Sequence, residues 1–301
     1  MESNDVDQLQ DSVAAPTVIE EGETLGLSQS EIIDRIITPI VRQESSLSYS
    51  ALSAFSESPK EFIKYKQRVR VTTDAMVFGS VAHCLVLEPQ EFYKRYFVLD
   101  DDAKKQEIGG GNPAATNAFK GWMKEQLEAA AKTGKEVIKN STYRAASAMA
   151  NDVINNPAAA RVLHICHERE VSLEWEYQNY KFRGFKDGSG PSATFDLKTV
   201  ADANPRKVER DVWGMGYYIQ AAMYNTGDGI PDKDYYIIAA DQKGGVSVHQ
   251  LKRELIRRGQ REYKYLVSKF TECVLADRFD ANYEFFADRI DGVYDMRDKP
   301  W

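Results

Sequence analysis

Hydrophobic positions along the chain change period twice, and the changes mark out its organisation. Residues 1–24 show no apolar period and few aromatics, the pattern of a disordered tail. Ile32, Ile33, Ile36, Ile37 and Ile40 then fall at helical spacing. Ser28 and Glu31 predict a capping box that opens this short amphipathic helix, and Pro39 predicts its end or a kink. Polar sequence precedes the stripe, so it reads as a docking face rather than a core element. Leu52, Phe55, Phe62 and Tyr65 continue the helical period, interrupted by Pro59. The stretch "AMVFGSVAHCLVLEPQEFYKRY" predicts a helix limited by Pro89, with small residues Gly79 and Ala82 allowing close packing beside His83. Residues 114–163 are alanine-rich and helical in pattern, "GKEVI" included.

The period then shortens to two. "REVSLEWEYQNYKFRGFKD" predicts two strands and "ATFDLKTV" a third. A helix follows over "ERDVWGMGYYIQAAMYNTG", then strands "DYYIIAADQ" and "GVSVHQLKR" joined through Lys243-Gly244-Gly245. A closing helix runs through "RELIRRGQREYKYLVSKFTECV". This order predicts an α/β fold, a mixed central β-sheet flanked by helices with a helical N-terminal portion. Residues 1–45 read as an acidic leader and 46–301 as a single domain.

Net charge is −7, but its distribution matters more than its sum. Residues 1–44 hold ten acids against two bases, while residues 45–301 hold 37 bases and 36 acids. The body is therefore nearly neutral. Between Lys60 and Arg70 five bases (Lys60, Lys64, Lys66, Arg68, Arg70) face one acid, which fits either a solvated helix face or a phosphate-contacting patch for DNA. Cys84, Cys166 and Cys273 lie far apart and are odd in number, which argues against a metal knuckle, a four-cysteine cluster or a disulfide framework. No run of about 18 apolar residues predicts a membrane span, and the polar N-terminus lacks a signal-peptide core. A cytoplasmic protein is expected. The Gly-rich "IGGGNPAATNA" lacks the Gly-Lys-Ser/Thr of a phosphate loop and reads as a connector.

The strongest chemical signal is Asp187 followed nine residues later by Asp196-Leu197-Lys198. On a strand Asp196 and Lys198 project to one side and Leu197 to the other. Two hard oxygen ligands favour Mg²⁺ or Mn²⁺. A neighbouring lysine can stabilise an oxyanion or help deprotonate a metal-bound water. Alone, the triplet reads as a solvated strand face, and the features around it change that reading.

Six features arrive in fixed order: "YSALSAFSESPKEF", "FGSVAHCLVLEP", "GKEVI", "RGFKD", "FDLKT" and "YYIQAAMYN". The set resembles the PD-(D/E)xK nuclease superfamily, and within it the RecE-like exonucleases of the exodeoxyribonuclease VIII type carried by phages and prophages. The similarity covers roughly residues 46–301. It implies that His83 supplies a nitrogen ligand, and that Asp187, Asp196 and the Leu197 carbonyl complete a site for Mg²⁺ or Mn²⁺. Lys198 is implied as the catalytic lysine. Relatives often carry proline directly before the first Asp, where this chain has Lys186. Gln220 and Tyr224 resemble the Q-x-x-x-Y motif of the RecB-like branch, the glutamine placing the lysine or the DNA. Tyr217 lies one turn earlier, and Glu170 fits a position behind the ligands or orienting the site. His164, His167 and His249 read as structural.

The resemblance implies a metal-dependent exonuclease of linear double-stranded DNA, digesting 5′ to 3′ and leaving 3′ tails for recombination. A ring-shaped homo-oligomer, to which the Ile stripe could contribute, and a single-strand annealing protein are implied partners, inside a bacterial host cell. A catalytically inactive DNA-binding or assembly module, or an endonuclease of repair or restriction type, would share the same core.

Overall fold

The computed structural model describes residues 27–68 and 71–287; the predicted tail over 1–24 and Arg70 lie outside them. A small parallel pair, β1 (Tyr96–Leu99) and β2 (Glu136–Lys139), stands apart from the main sheet. The main sheet holds β3 (Glu168–Tyr177), β4 (Tyr180–Ser189), β5 (Ala193–Thr199), β6 (Asp234–Ala240) and β7 (Val246–Leu251) in sequence order. Only β5 and β6 pair in parallel, so the sheet is mixed as the strand pattern predicts. The principal helices are α1 (Tyr49–Glu57), α2 (Pro59–Gln67), α3 (Asp74–Leu87), α4 (Asn117–Ala131), α5 (Asn140–Asn155), α6 (Pro157–Ile165), α7 (Pro205–Gly214), α8 (Tyr217–Gly227) and α9 (Arg253–Ala276).

Alternation along β6 divides the interior in two. Tyr235, Ile237 and Ala239 join a core built with α1, α2, α8 and α9, while Ile238 and Ala240 join one built with α3, α5 and α6. The first core is rich in rings. Phe55, Phe62 and Phe270 meet edge to face at 5.2–6.2 Å, and all three are fully buried. Each such side chain contributes about 1.5–3 kcal/mol by burial.

Four expectations change. The Ile stripe is core: Ile36, Ile37 and Ile40 are 8%, 3% and 0% exposed and pack against the first core, so they offer no free docking or ring-forming face. Pro39 does not stop its helix. Residues Ile33–Ile37 widen into a π turn in which Thr38 N–H bonds to Ile33 O, and α-helix resumes at Thr38–Val41. The wider turn spares the helix the hydrogen bond that proline cannot make. "GKEVI" contributes strand β2, because Glu136–Lys139 find a parallel partner in β1 that no local pattern announces. The helix predicted over 209–227 is two helices, broken where Gly216 takes a left-handed φ of 64°. A Cβ there would also lie 2.7 Å from the Tyr49 hydroxyl, which bonds to the Met215 carbonyl. The predicted capping box is present: Ser28 accepts from Glu31 N–H and Glu31 returns a bond to Ser28 N–H.

Candidate active site

Strands β4 and β5 separate almost at once after their turn. They pair only at Gly188↔Phe195 and Ser189↔Thr194, while β5 follows β6 along its whole length. Gly188 has no room for a side chain, since a Cβ would fall 2.0 Å from the Phe195 ring. Where the strands part, Asp187 turns its carboxylate into the gap and accepts the Leu197 N–H at 2.6 Å. Asp187 thus sits on the strand itself.

Helix α3 brings His83 to the same point. Gly79, one turn earlier, lies against β5, with a would-be Cβ 3.2 Å from Thr199 Oγ1, as the small-residue reading requires. His83 Nδ1 stands 3.8 Å from Asp187 Oδ2. Glu170 completes a trio. It lies between the register pairs Arg169↔Gly188 and Val171↔Lys186, hence across from Asp187, and holds a left-handed φ of 50°. Strain of this kind collects at functional sites. One ligand atom from each of His83, Glu170 and Asp187 lies within 4.8 Å of the others.

The sequence-based ligand set differs here. Phe195 and Leu197 point into the second core, so Asp196 and Lys198 project to the opposite side, toward α8. Asp196 Oδ2 pairs with Lys198 Nζ at 2.8 Å, and Gln220 Nε2 donates to Asp196 Oδ1 at 3.4 Å. Asp196 is therefore turned to the lysine and glutamine, whereas Glu170, expected behind the ligands, stands among them. Leu197 stands between the two groups, and its N–H serves Asp187.

Helix α8 presents Gln220 and Tyr224 on one face. Gln220 Oε1 accepts from Lys198 Nζ at 3.3 Å, and its Nε2 also donates to the Tyr224 hydroxyl at 3.2 Å. The Tyr224 ring fills the space above Gly184, where a Cβ would fall 2.4 Å from Cε1. Tyr217 lays its ring 4.5 Å from Lys198 Nζ.

The charges explain what such a site would take. Burial, then the Asp196 charge, drive the Asp187 carboxyl well above the usual carboxylate range. Burial and the nearby Glu88 raise Glu170. Burial lowers His83 against the pull of Asp196, which favours a neutral imidazole with a free lone pair. Burial alone would lower Lys198, but the Asp196 charge and hydrogen bond outweigh it and hold the ammonium protonated. Crowded carboxylates beside a neutral imidazole form an oxygen-rich donor set that a hard divalent cation would relieve.

The basic patch is only partly available. Lys64 is paired with Glu61, Arg68 lies 4.2 Å over the Tyr65 ring, and Lys66 is half-buried. His249 bonds Ser247 Oγ at 2.9 Å, and His164 and His167 take no part in the site. Lys186 and Lys233 have a role no local pattern shows. Both are buried, both bond Ser189 Oγ at 3.0 Å, and together they bracket Asp228 at the end of α8.

Among solved structures, one from Eubacterium rectale named a "Putative exonuclease" superposes with a TM-score of 0.51 at 12% identity, covering 83% of this chain and 87% of that one. At that identity the likeness is one of fold. A second, SSO0001, shares 11% identity over 64% of this chain and 88% of its own, and its TM-score of 0.24 carries no argument. No curated protein sequence matches the chain. The family described as PDDEXK-like domain of unknown function (DUF3799) matches residues 48–281, a span that takes in His83, Glu170, Asp187, Asp196, Lys198 and Gln220. The sheet that parts at Asp187, the Asp-x-Lys strand beside it and this match agree, and the chain belongs to the PDDEXK-like DUF3799 family.

Proposed function

We propose that this protein is a metal-dependent DNA exonuclease acting on linear double-stranded DNA. The observation that carries the reading is the intact pair of groups on either side of Leu197, His83–Glu170–Asp187 and Asp196–Lys198–Gln220. A decayed, purely binding module would have no need to keep a buried carboxylate and ammonium so placed. His83, Glu170 and Asp187, bordered by Asp196 and the Leu197 carbonyl, would hold Mg²⁺ or Mn²⁺, which when bound offsets phosphate charge and activates water.

The chain's own groups do the rest. Lys198, kept charged by Asp196, offers its ammonium to the non-bridging oxygens of the phosphate as charge builds there. Gln220 fixes that ammonium from one side and the Tyr217 ring confines it from another. Tyr224 bonds Gln220 and packs its ring on Gly184 of the strand that carries Asp187, so lysine and carboxylate keep one spacing.

Digestion from the 5′ end to leave 3′ tails for recombination follows from the resemblance to RecE-like enzymes. So do a ring-shaped homo-oligomer and a single-strand annealing protein as partner. A cytoplasmic setting fits the three cysteines, all free and buried. Among the described residues no helix is long and apolar enough to cross a membrane. End-labelled linear duplex and closed circular duplex, each with Mg²⁺ and with EDTA, test the reading. Loss of 5′ label from linear DNA in Mg²⁺ alone is expected. Cutting of the closed circle would make it an endonuclease, and no cleavage of either would return it to a binding module.

A further inference from the structure

Beside the site the open face of β4 carries an exposed ring and a cation. Burial alternates along the strand, so Lys181, Arg183, Phe185 and Asp187 share one face. Phe185 is 60% exposed, two residues from Asp187 and so roughly 7 Å along the strand. Its cross-strand neighbour is Ser172, too small to cover the ring. The Tyr224 ring packs over Gly184, the residue just before Phe185, and its hydroxyl accepts from Gln220, so this stretch of β4 lies against the helix that carries Gln220. An exposed ring on a paired strand at the rim of such a site presents a flat apolar surface.

Arg183 stands two residues further and forms no ion pair among the described residues. Lys66, at the end of α2, is near enough to feel the Arg183 charge and likewise forms no ion pair among the described residues. Burial and then the Arg183 charge lower the lysine's affinity for its proton. Two cations that repel each other, Arg183 exposed and Lys66 half-buried, form a site for an anion. A base offers a free face to an aromatic ring only when it is unpaired or terminal.

We propose that Phe185, Arg183 and Lys66 form a nucleotide subsite. The Phe185 ring stacks on one unpaired base next to the bond being cut, and the two cations hold a phosphate of the same strand. The inference rests on the nuclease reading and deepens it, by making an unpaired nucleotide the species the rim of the site prefers.

The test uses the full chain and single-stranded oligonucleotides containing 2-aminopurine, in EDTA, so that no hydrolysis intervenes. The wild type is expected to quench the fluorescent base on stacking. Phe185→Ala should lose the quench and bind roughly 5- to 150-fold more weakly, whereas Phe185→Trp should keep both. Lys66→Ala with Arg183→Ala should flatten the salt dependence while leaving the quench in place. Equal quench and equal affinity in Phe185→Ala would overturn the subsite and leave the nuclease reading standing. A wild type that binds no oligonucleotide at any salt, single- or double-stranded, would overturn both. Sedimentation of the same samples covers the remaining occupant: an oligomer that Phe185→Ala dissolves would make this face a contact between copies, and the subsite would fall.

Discussion

Gly259→Ala should separate activity from stability in this protein. Gly259 sits within α9 where it crosses α8, and a Cβ there would fall 2.3 Å from the Tyr218 carbonyl oxygen and 2.9 Å from Ala222 Cβ. Neither obstacle is the end of a flexible side chain. Ordinary contact begins near ~3.5 Å, so the two helices must move apart by roughly 1 Å. Alanine gains about 1 kcal/mol over glycine in a helix interior, and overpacking costs about 1–3 kcal/mol. The net loss of stability is therefore about 0–2 kcal/mol. The site suffers more. Helix α8 carries Gln220, whose bonds to Lys198 and Asp196 are already 3.3 and 3.4 Å long. Another ~1 Å breaks both, and a misplacement of that size costs on the order of 100-fold in rate. Gly121→Ala is the control: it lies inside α4 with no atom within 4 Å of the new Cβ. It should gain about 1 kcal/mol and raise Tm by about 2–4 °C with unchanged turnover. Thermal melts and nuclease rates on linear duplex decide the matter. Wild-type turnover in Gly259→Ala would show that the spacing of α8 and α9 does not set the position of Gln220.

Lys198→Ala should abolish hydrolysis while sparing the fold, and Lys198→Arg should not restore it, because a planar fork cannot occupy the place of a point charge between Asp196, Gln220 and Tyr217; wild-type turnover in either would refute the role. Asp228→Ala leaves Lys186 and Lys233 buried without their carboxylate and should cost about 3–5 kcal/mol in denaturant unfolding. Burial alone would raise Asp228, but the hydrogen bonds from Lys186 and Lys233 win and hold it below the usual carboxylate range. Its contribution is therefore complete above that range and disappears as pH falls through the lowered value, so melts of Asp228→Asn should lack that part of the acid sensitivity. Calcium should occupy the site yet support little turnover, since its looser coordination misaligns the attacking water; equal rates in Ca²⁺ and Mg²⁺ would count against it. Neutralising Lys66 and Arg68 together should flatten the salt dependence of DNA binding by about one unit for each phosphate left without its cation, as read from titrations at several salt concentrations.

The strands and the chemistry were legible because both are local. Alternation in "KFRGFKDGSG" and "ATFDLKTV" places Asp187, Asp196 and Lys198 on their strands, and the Gln220–Tyr224 spacing places both on one helix face. The same alternation puts Arg183 and Phe185 beside Asp187, a signal available in the sequence. What stayed hidden depends on distant partners. Glu136–Lys139 becomes a strand only through Tyr96–Leu99, and the Ile stripe becomes core only because the ring-rich first core takes it in. Glu170 shares its strand with Glu168, Glu174 and Glu176, and only the pairing sets it, and not the others, across from Asp187. Lys186 and Lys233 are far apart in sequence and share Asp228 only in the fold.

The parting of β4 and β5 also creates a reporter within the backbone. An interior strand amide is ordinarily shielded by a carbonyl on the next strand, and its exchange with solvent measures how readily the sheet opens. The Leu197 amide is shielded by a carboxylate instead. Whatever draws on that carboxylate, a proton or a cation, changes the amide's protection while its neighbours, held to β6, keep theirs. Hydrogen exchange at this one amide therefore follows the charge state of the site without any substrate present, and it does so in variants that have lost all turnover.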